Sequence, residues 1–280
     1  MQYLKSIILS GCILLNTLSF AGAECVLKMT YKEGDKLPLI AKKPDNSGAY
    51  LELFSRAAET IGCQLEIVRL PKKKLHEQLQ RGTLDFYPAA SFSEARSKYL
   101  YYIENGMPTG EYGITSRTVP DILDYPQVKE LGLVWLMELG SSKAEKAAEL
   151  GIRTHAIGFV DIEKVQQFIS QGRKYFYVSD KELADYYVKN TGVGSFEEVG
   201  LKVHYDCCGG EYPMRMAFSR FSPHFKEKAN PRYDGTLPVS PTNFPTVVDS
   251  ECVAYKFGQA LQQLKDSGET MKIYTTYFSE

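Results

Sequence analysis

The sequence predicts an α/β protein built as two lobes, each a mostly parallel sheet flanked by helices. Three observations carry this. Between Cys25 and Tyr87 the apolar pattern alternates in the order strand, helix, strand, helix, strand, which suits a parallel sheet with helices on its faces. The same rhythm restarts at Leu133 and runs to Tyr205. A strand and a helix then close the chain, as a C-terminal return would.

Residues 25–31 alternate and read as a strand. In residues 50–61 the apolar positions Leu51, Phe54, Ala57, Ala58 and Ile61 fall at helical spacing, and Gly62 stops the helix. Residues 64–70 form a second strand that ends at Pro71. Residues 73–80 form a short helix closed by Arg81-Gly82, and 84–87 form a third strand. A helical turn is expected at 94–99 and a strand at 113–116. The second unit reads as strand 133–137, helix to Leu150, helix 162–172, strand 175–178, helix 181–189 and strand 201–205. Residues 214–218 alternate as a strand, 230–245 form a long loop rich in Pro, Thr and Ser, and 252–265 form a helix.

The first residues have the order of a secretory signal. Lys5 is followed by the apolar run 7–15, and Ala21-Gly22-Ala23 is a small-x-small cleavage site ahead of Glu24. The run is shorter than the ~20 residues a spanning helix needs. Leu9-Ser10-Gly11-Cys12 looks like a lipoprotein box, the minor alternative, although few apolar residues precede Cys12. The expected location is the periplasm, with cleavage after Ala23. Near-balanced charge gives no reason to expect nucleic acid or an anionic membrane as partner. The basic run Lys72-Lys73-Lys74 reads equally as a solvated helix start or as functional.

Export permits disulfides. Past the signal there are five cysteines, an odd number, so at least one is free or pairs between molecules. Cys25 and Cys63 each start a predicted strand and can pair if those strands are neighbours; Cys252 could then take Cys207 or Cys208, and the connectivity stays open. No C-x-x-C spacing is present, and His76-Glu77 lacks the second histidine of a zinc-protease motif, since Gln80 stands there. No metal or cofactor is expected.

Three segments carry a resemblance: Gly48-Ala-Tyr-Leu-Glu-Leu-Phe54, Leu79-Gln-Arg-Gly-Thr-Leu-Asp85 and Ser91-Phe-Ser-Glu-Ala-Arg96. The chain resembles the type 2 periplasmic solute-binding proteins, and within them family 3, including its orphan relatives. The C-terminal pattern from Ala260 to Gly268, with Ile273 and Tyr277-Phe278 following, also fits. The resemblance implies lobe 1 at residues 24–116 and 214–280, lobe 2 at 117–213, and a two-strand hinge. The 91–96 turn is shorter, and the 225–251 stretch longer and richer in proline, than the family usually has.

In such proteins a ligand is held between the lobes, where closure removes water and strengthens polar contacts. The resemblance places Arg96 where a ligand carboxylate is gripped, which suits a bidentate guanidinium; the bland alternative is an ion pair with Glu94. Ser91 and Ser93 match the turn hydroxyls. Ser141 and Ser142 match a strand-to-helix turn in lobe 2, with an ordinary N-cap as alternative. Asp180 matches an acid that receives a ligand amine, again with an N-cap as alternative. Tyr31 matches an aromatic wall. Asp85 and Glu52 read as structural.

These expectations amount to a monomeric periplasmic binding protein for a small polar or carboxylate-bearing solute. It would do no chemistry and would serve an ABC permease or a sensor. The alternatives are a cyclohexadienyl-dehydratase-like enzyme, which needs a cleft acid with a raised pKa (Glu138 and Asp180 being the candidates), and an interaction protein without a small-molecule site.

Overall fold

The computed structural model describes residues 25–278; the expected signal segment and Cys12 lie outside them. The first half comprises β1 (Cys25–Tyr31), α1 (Ala49–Thr60), β2 (Cys63–Arg69), α2 (Lys72–Gln80), β3 (Phe86–Tyr87), α3 (Glu94–Ser97) and β4 (Leu100–Ser116). It continues through α4 (Tyr125–Glu130), β5 (Val134–Glu138), α5 (Lys143–Leu150), β6 (Thr154–Ile157), α6 (Ile162–Ser170), β7 (Tyr175–Asp180), α7 (Lys181–Asn190) and β8 (Leu201–His204). The chain ends with β9 (Glu211–Ser219), β10 (Glu227–Ala229), β11 (Thr246–Val248), α8 (Val253–Asp266) and α9 (Glu269–Phe278).

The large sheet runs β2-β1-β3-β9-β4-β7-β5-β6, with β8 also on β4. Its parallel pairs are β1 with β2 and β3, and β5 with β6 and β7. Every antiparallel pair in it involves β4 or β9. These two strands are therefore the crossing. β4 is 17 residues long. Its first part, from Leu100 to Gly110, pairs with β9; from Glu111 onward it pairs with β7 and β8. One strand thus belongs to both halves of the sheet. Only its end, at 113–116, is legible as a strand by alternation. Residues 104–112 hold Gly106, Pro108 and Gly110, and the register slips between Glu104 and Pro108, so a one-sequence pattern breaks there.

Each half has its own core. Phe54, Phe86, Phe218 and Phe257 pack together beneath α1 and α8. Trp135 and Phe176 anchor a second cluster with Cys207 and Cys208. Asp85 is buried and structural: it accepts from the Lys28 amide at 2.7 Å and from the Ser222 hydroxyl. It ties the middle of β1 to the turn after β9.

Cys25 and Cys63 face each other in the β1–β2 register and form a disulfide. The expectation for Cys252 needs correction. Cys207 and Cys208 are bonded to each other, and Cys252 is a buried free thiol. The reason is spatial: Cys252 sits in the core beneath α1 and α8, whereas the vicinal pair sits in the Trp135 cluster of the other half.

Among the described residues no helix is long and apolar enough to cross a membrane.

Candidate functional site

A cleft of about 550 Å³ lies between the two halves of the sheet, within the usual range for small-molecule sites. One wall comes from the loop after β1, the start of α2, the end of β3 and the turn into α3. The other comes from the end of β5, the turn into α5, and β7 with the start of α7. β4 and β9 form the floor, through Thr109, Glu111, Tyr212 and Arg215.

Of the seven residues assigned from sequence, Tyr31, Ser91, Arg96, Ser141, Ser142 and Asp180 line this cleft. Ser93 does not. It is buried, accepts from the Arg96 amide as N-cap of α3, and donates to Glu145 Oε2 at 3.1 Å. Arg96 reaches across the cleft rather than to Glu94: its Nη2 donates to the Gly140 carbonyl at 2.6 Å. That bond uses one of five guanidinium N–H groups. Ser141 Oγ accepts from the Lys143 amide at 3.3 Å, a helix-start role, while Ser142 makes no side-chain cap. Asp180 also caps nothing; its carboxylate is ion-paired with Lys36. Tyr31 is almost fully buried, stacks on Tyr87 at 5.2 Å and has the Arg69 guanidinium 5.4 Å from its ring, so only its edge reaches the cleft.

Sequence reading missed the lysines. Lys32 and Lys72 both pair with Glu138, at 2.6 and 3.1 Å. Lys36 pairs with Asp180, and Lys143 with the buried Glu111. Three of these four pairs join opposite walls, and they are mostly shielded from solvent. Burial pushes the Glu138 and Asp180 carboxyls up, but the lysines beside them pull harder, and both end below the usual carboxylate range. Both are therefore ionised at neutral pH. Burial, together with Arg96 and Lys72, pushes the His76 imidazole down to about 3, so it is neutral there, with its Nδ1 3.2 Å from the Tyr99 hydroxyl. The one cleft-region carboxyl with a raised pKa is Glu182, pushed to about 7 by burial and by Asp180. It accepts from the Thr109 hydroxyl at 3.1 Å, its other oxygen has no partner, and it is fully buried behind the cleft rather than lining it.

Only Lys72 carried a sequence signal, as the first of three consecutive lysines. It turns inward, whereas Lys73 and Lys74 face solvent. Lys32 and Lys36 sit in a polar loop with no spacing rule to mark them. Among the described residues no group of acids, histidines and cysteines is arranged to hold a metal ion.

Two walls, a crossing of two strands and a charged cleft between them make up the site. Residues 33–280 match the model of the bacterial extracellular solute-binding proteins, family 3. The chain belongs to that family. Solved structures share the fold. An ancestral arginine-binding protein bound to glutamine aligns with a TM-score of 0.64 at 20% identity, covering 92% of this chain and 100% of that one. The ancestral amino acid-binding protein AncCDT-1, a precursor of cyclohexadienyl dehydratase, aligns at 0.63 and 17%, covering 90% and 95%. A putative ABC-transporter binding component from Wolinella succinogenes, complexed with lysine, aligns at 0.63 and 16%, covering 91% and 96%. These are two-lobed periplasmic binding proteins, and at such identities the likeness concerns the fold. No curated protein matches the sequence.

Proposed function

We propose that this family 3 protein captures a small carboxylate-bearing solute in the cleft and does no chemistry on it. The observation that carries the reading is the cleft itself. Six residues assigned from sequence line it, and charged side chains from both walls converge on it. A ligand touching both walls favours the bridged arrangement by its differential affinity. Arg96 holds the α3 side, and its remaining N–H groups suit a carboxylate. Ser91 and the Ser141-Ser142 turn add hydroxyls, and Tyr31 with Tyr87 adds an aromatic edge. We read lobe 1 as 24–116 and 214–280 and lobe 2 as 117–213, with β4 and β9 as the hinge. The protein works as a monomer in the periplasm, after loss of a signal peptide, and passes the solute to an ABC permease or a sensor.

The titration behaviour favours binding over catalysis. Acid catalysis in the cleft needs a carboxyl that keeps its proton near neutral pH. Glu138 and Asp180, the cleft candidates, are held as ionised carboxylates, and Glu182, whose carboxyl burial pushes up to about 7, does not line the cleft.

The test is a thermal-shift screen of the purified protein with amino acids, organic acids and amines. A ligand that binds only the folded state raises Tm. One or more carboxylates are expected to do so. Arg96→Ala is expected to weaken the best of them by roughly 10- to 100-fold, the worth of a charge-assisted hydrogen bond. No shift with any compound contradicts the reading, and unchanged affinity in Arg96→Ala removes Arg96 from the site.

A further inference from the structure

The charges inside the cleft narrow the ligand class, an inference that rests on the binding reading above. Five cationic side chains line the interior: Lys32, Lys36, Lys72, Arg96 and Lys143. Three carboxylates face them: Glu111, Glu138 and Asp180. Each of the three already has a lysine, and Glu138 has two. Of the other charged lining groups only Asp161, half-buried and without a cationic partner among the described residues, adds to this balance. Arg215 is paired with Glu104 at 3.3 Å. Asp161 caps α6 by accepting from the Lys164 amide at 2.8 Å. Asp35 and Glu163 are exposed at the rim, where water and salt screen them.

Two consequences follow. With Asp161 counted, the interior holds one positive charge in excess of its carboxylates. A ligand ammonium, by contrast, finds Glu111, Glu138 and Asp180 each already paired with a lysine. To reach Asp180 it must displace Lys36, and Lys36 is on the same chain. A tethered competitor acts at an effective concentration in the ~mM range. Its backbone is also fixed, by reciprocal hydrogen bonds between Lys36 and Ile40 at 2.8 and 3.0 Å. The Lys36 ammonium thus occupies the place that a ligand amine would need.

We infer that the cleft takes a small dicarboxylic acid that lacks an amine, with Lys36 acting as the built-in occupant of Asp180. One ligand carboxylate falls to Arg96 and the Ser91 side. The second falls to the lysine cluster around Glu138. The Tyr31–Tyr87 stack and Phe159 offer apolar surface between them. Lys32 lies 5.0 Å over the Phe159 ring, so that surface sits beside the cluster.

The test is calorimetric titration of the protein with glutarate, glutamate and inorganic phosphate, and of Lys36→Met with the same probes. Glutarate and glutamate differ by the amine. Wild type is expected to bind glutarate at least ten-fold more tightly than glutamate. In Lys36→Met, Asp180 is freed and one cation is lost, so the gap is expected to close or reverse. Glutamate binding the wild type as tightly as glutarate overturns the inference and leaves the solute-binding reading intact. Phosphate binding more tightly than glutarate also overturns it, because the site would then recognise a compact dianion rather than two separated carboxylates. If no probe binds, and no acid of the thermal screen does, both the inference and the reading beneath it fail. The wild-type comparison stands whether or not the variant folds.

Discussion

Gly82→Ala is expected to cost about 3 kcal/mol or more of stability, from an αL penalty plus a backbone clash. Gly82 has φ +69, and a Cβ added there would lie 2.0 Å from the Phe221 carbonyl oxygen and 2.5 Å from its carbon. Both atoms are backbone, so no side chain can rotate away. The 219–222 turn would have to move, and that turn carries the Ser219 amide bond to the Asp85 carbonyl at 2.7 Å, the Ser219 hydroxyl bond to Leu79 at 2.6 Å, and the Ser222 contact to Asp85. In a chain of this size about 3 kcal/mol corresponds to a Tm lower by roughly 10 °C. Gly132→Ala is the control. Its φ of +66 is nearly the same, but an added Cβ meets nothing within 4 Å, so only the conformational penalty of about 1 kcal/mol applies. Thermal unfolding of the two variants side by side checks this. Equal losses would mean that the Phe221 backbone is not where this structure puts it.

Glu138→Gln is expected to have the largest effect on the cleft. The substitution keeps the shape of the side chain but strips the charge that holds Lys32 and Lys72 together from one side of the cleft to the other. With the carboxylate mostly shielded, removing one partner of such a pair typically costs about 3–5 kcal/mol. Both lysines stand on one wall and Glu138 on the other, so separation of the walls lets water hydrate the unpaired ammonium groups, and part of this loss is expected as opening rather than unfolding. Small-angle scattering of the unliganded protein should show a larger radius of gyration for Glu138→Gln than for wild type. The pH dependence has a definite sign. The folded-state pKa values of Glu138 and Asp180 lie below their unfolded values of about 4. Their contribution is therefore complete above about pH 4 and is lost as pH falls through the depressed folded values. The wild type should open on acidification, and its difference from Glu138→Gln should shrink towards zero there. An unchanged radius at neutral pH would show that these ion pairs do not hold the walls together.

Much of the fold was legible because its helices and buried strands repeat with simple periods. Residues 25–31, 201–204 and 253–265 fall close to their expected limits for that reason. β4 was not legible over most of its length. Its glycines and prolines mark a bulge and a change of pairing partner, which a local pattern reads as a break. β6 and α4 were missed as well: β6 has only four residues with partly exposed positions, and α4 has only six, with a proline as its second. The cleft was half legible. Arg96, Ser91, Ser141, Ser142 and Asp180, which line the cleft, sit at turns whose order is readable in the sequence. Ser93 was placed in the site because a hydroxyl ahead of an arginine looks alike whether it contacts a ligand or caps a helix; its buried N-cap position decides for the cap. The lysines were hidden for a different reason. A lysine in a loop is solvated by default, and only the fold brings Lys32, Lys36 and Lys72 against carboxylates more than 60 positions away.

The central claim is that a small solute is held between the two walls. Hydrogen–deuterium exchange tests it most directly, on protein saturated with whichever carboxylate raises Tm most. Protection is expected on both walls at once: residues 31–36, 72–76 and 91–96 on one, and 138–143 and 177–181 on the other. Protection confined to one wall, or appearing only outside these segments, would contradict the claim.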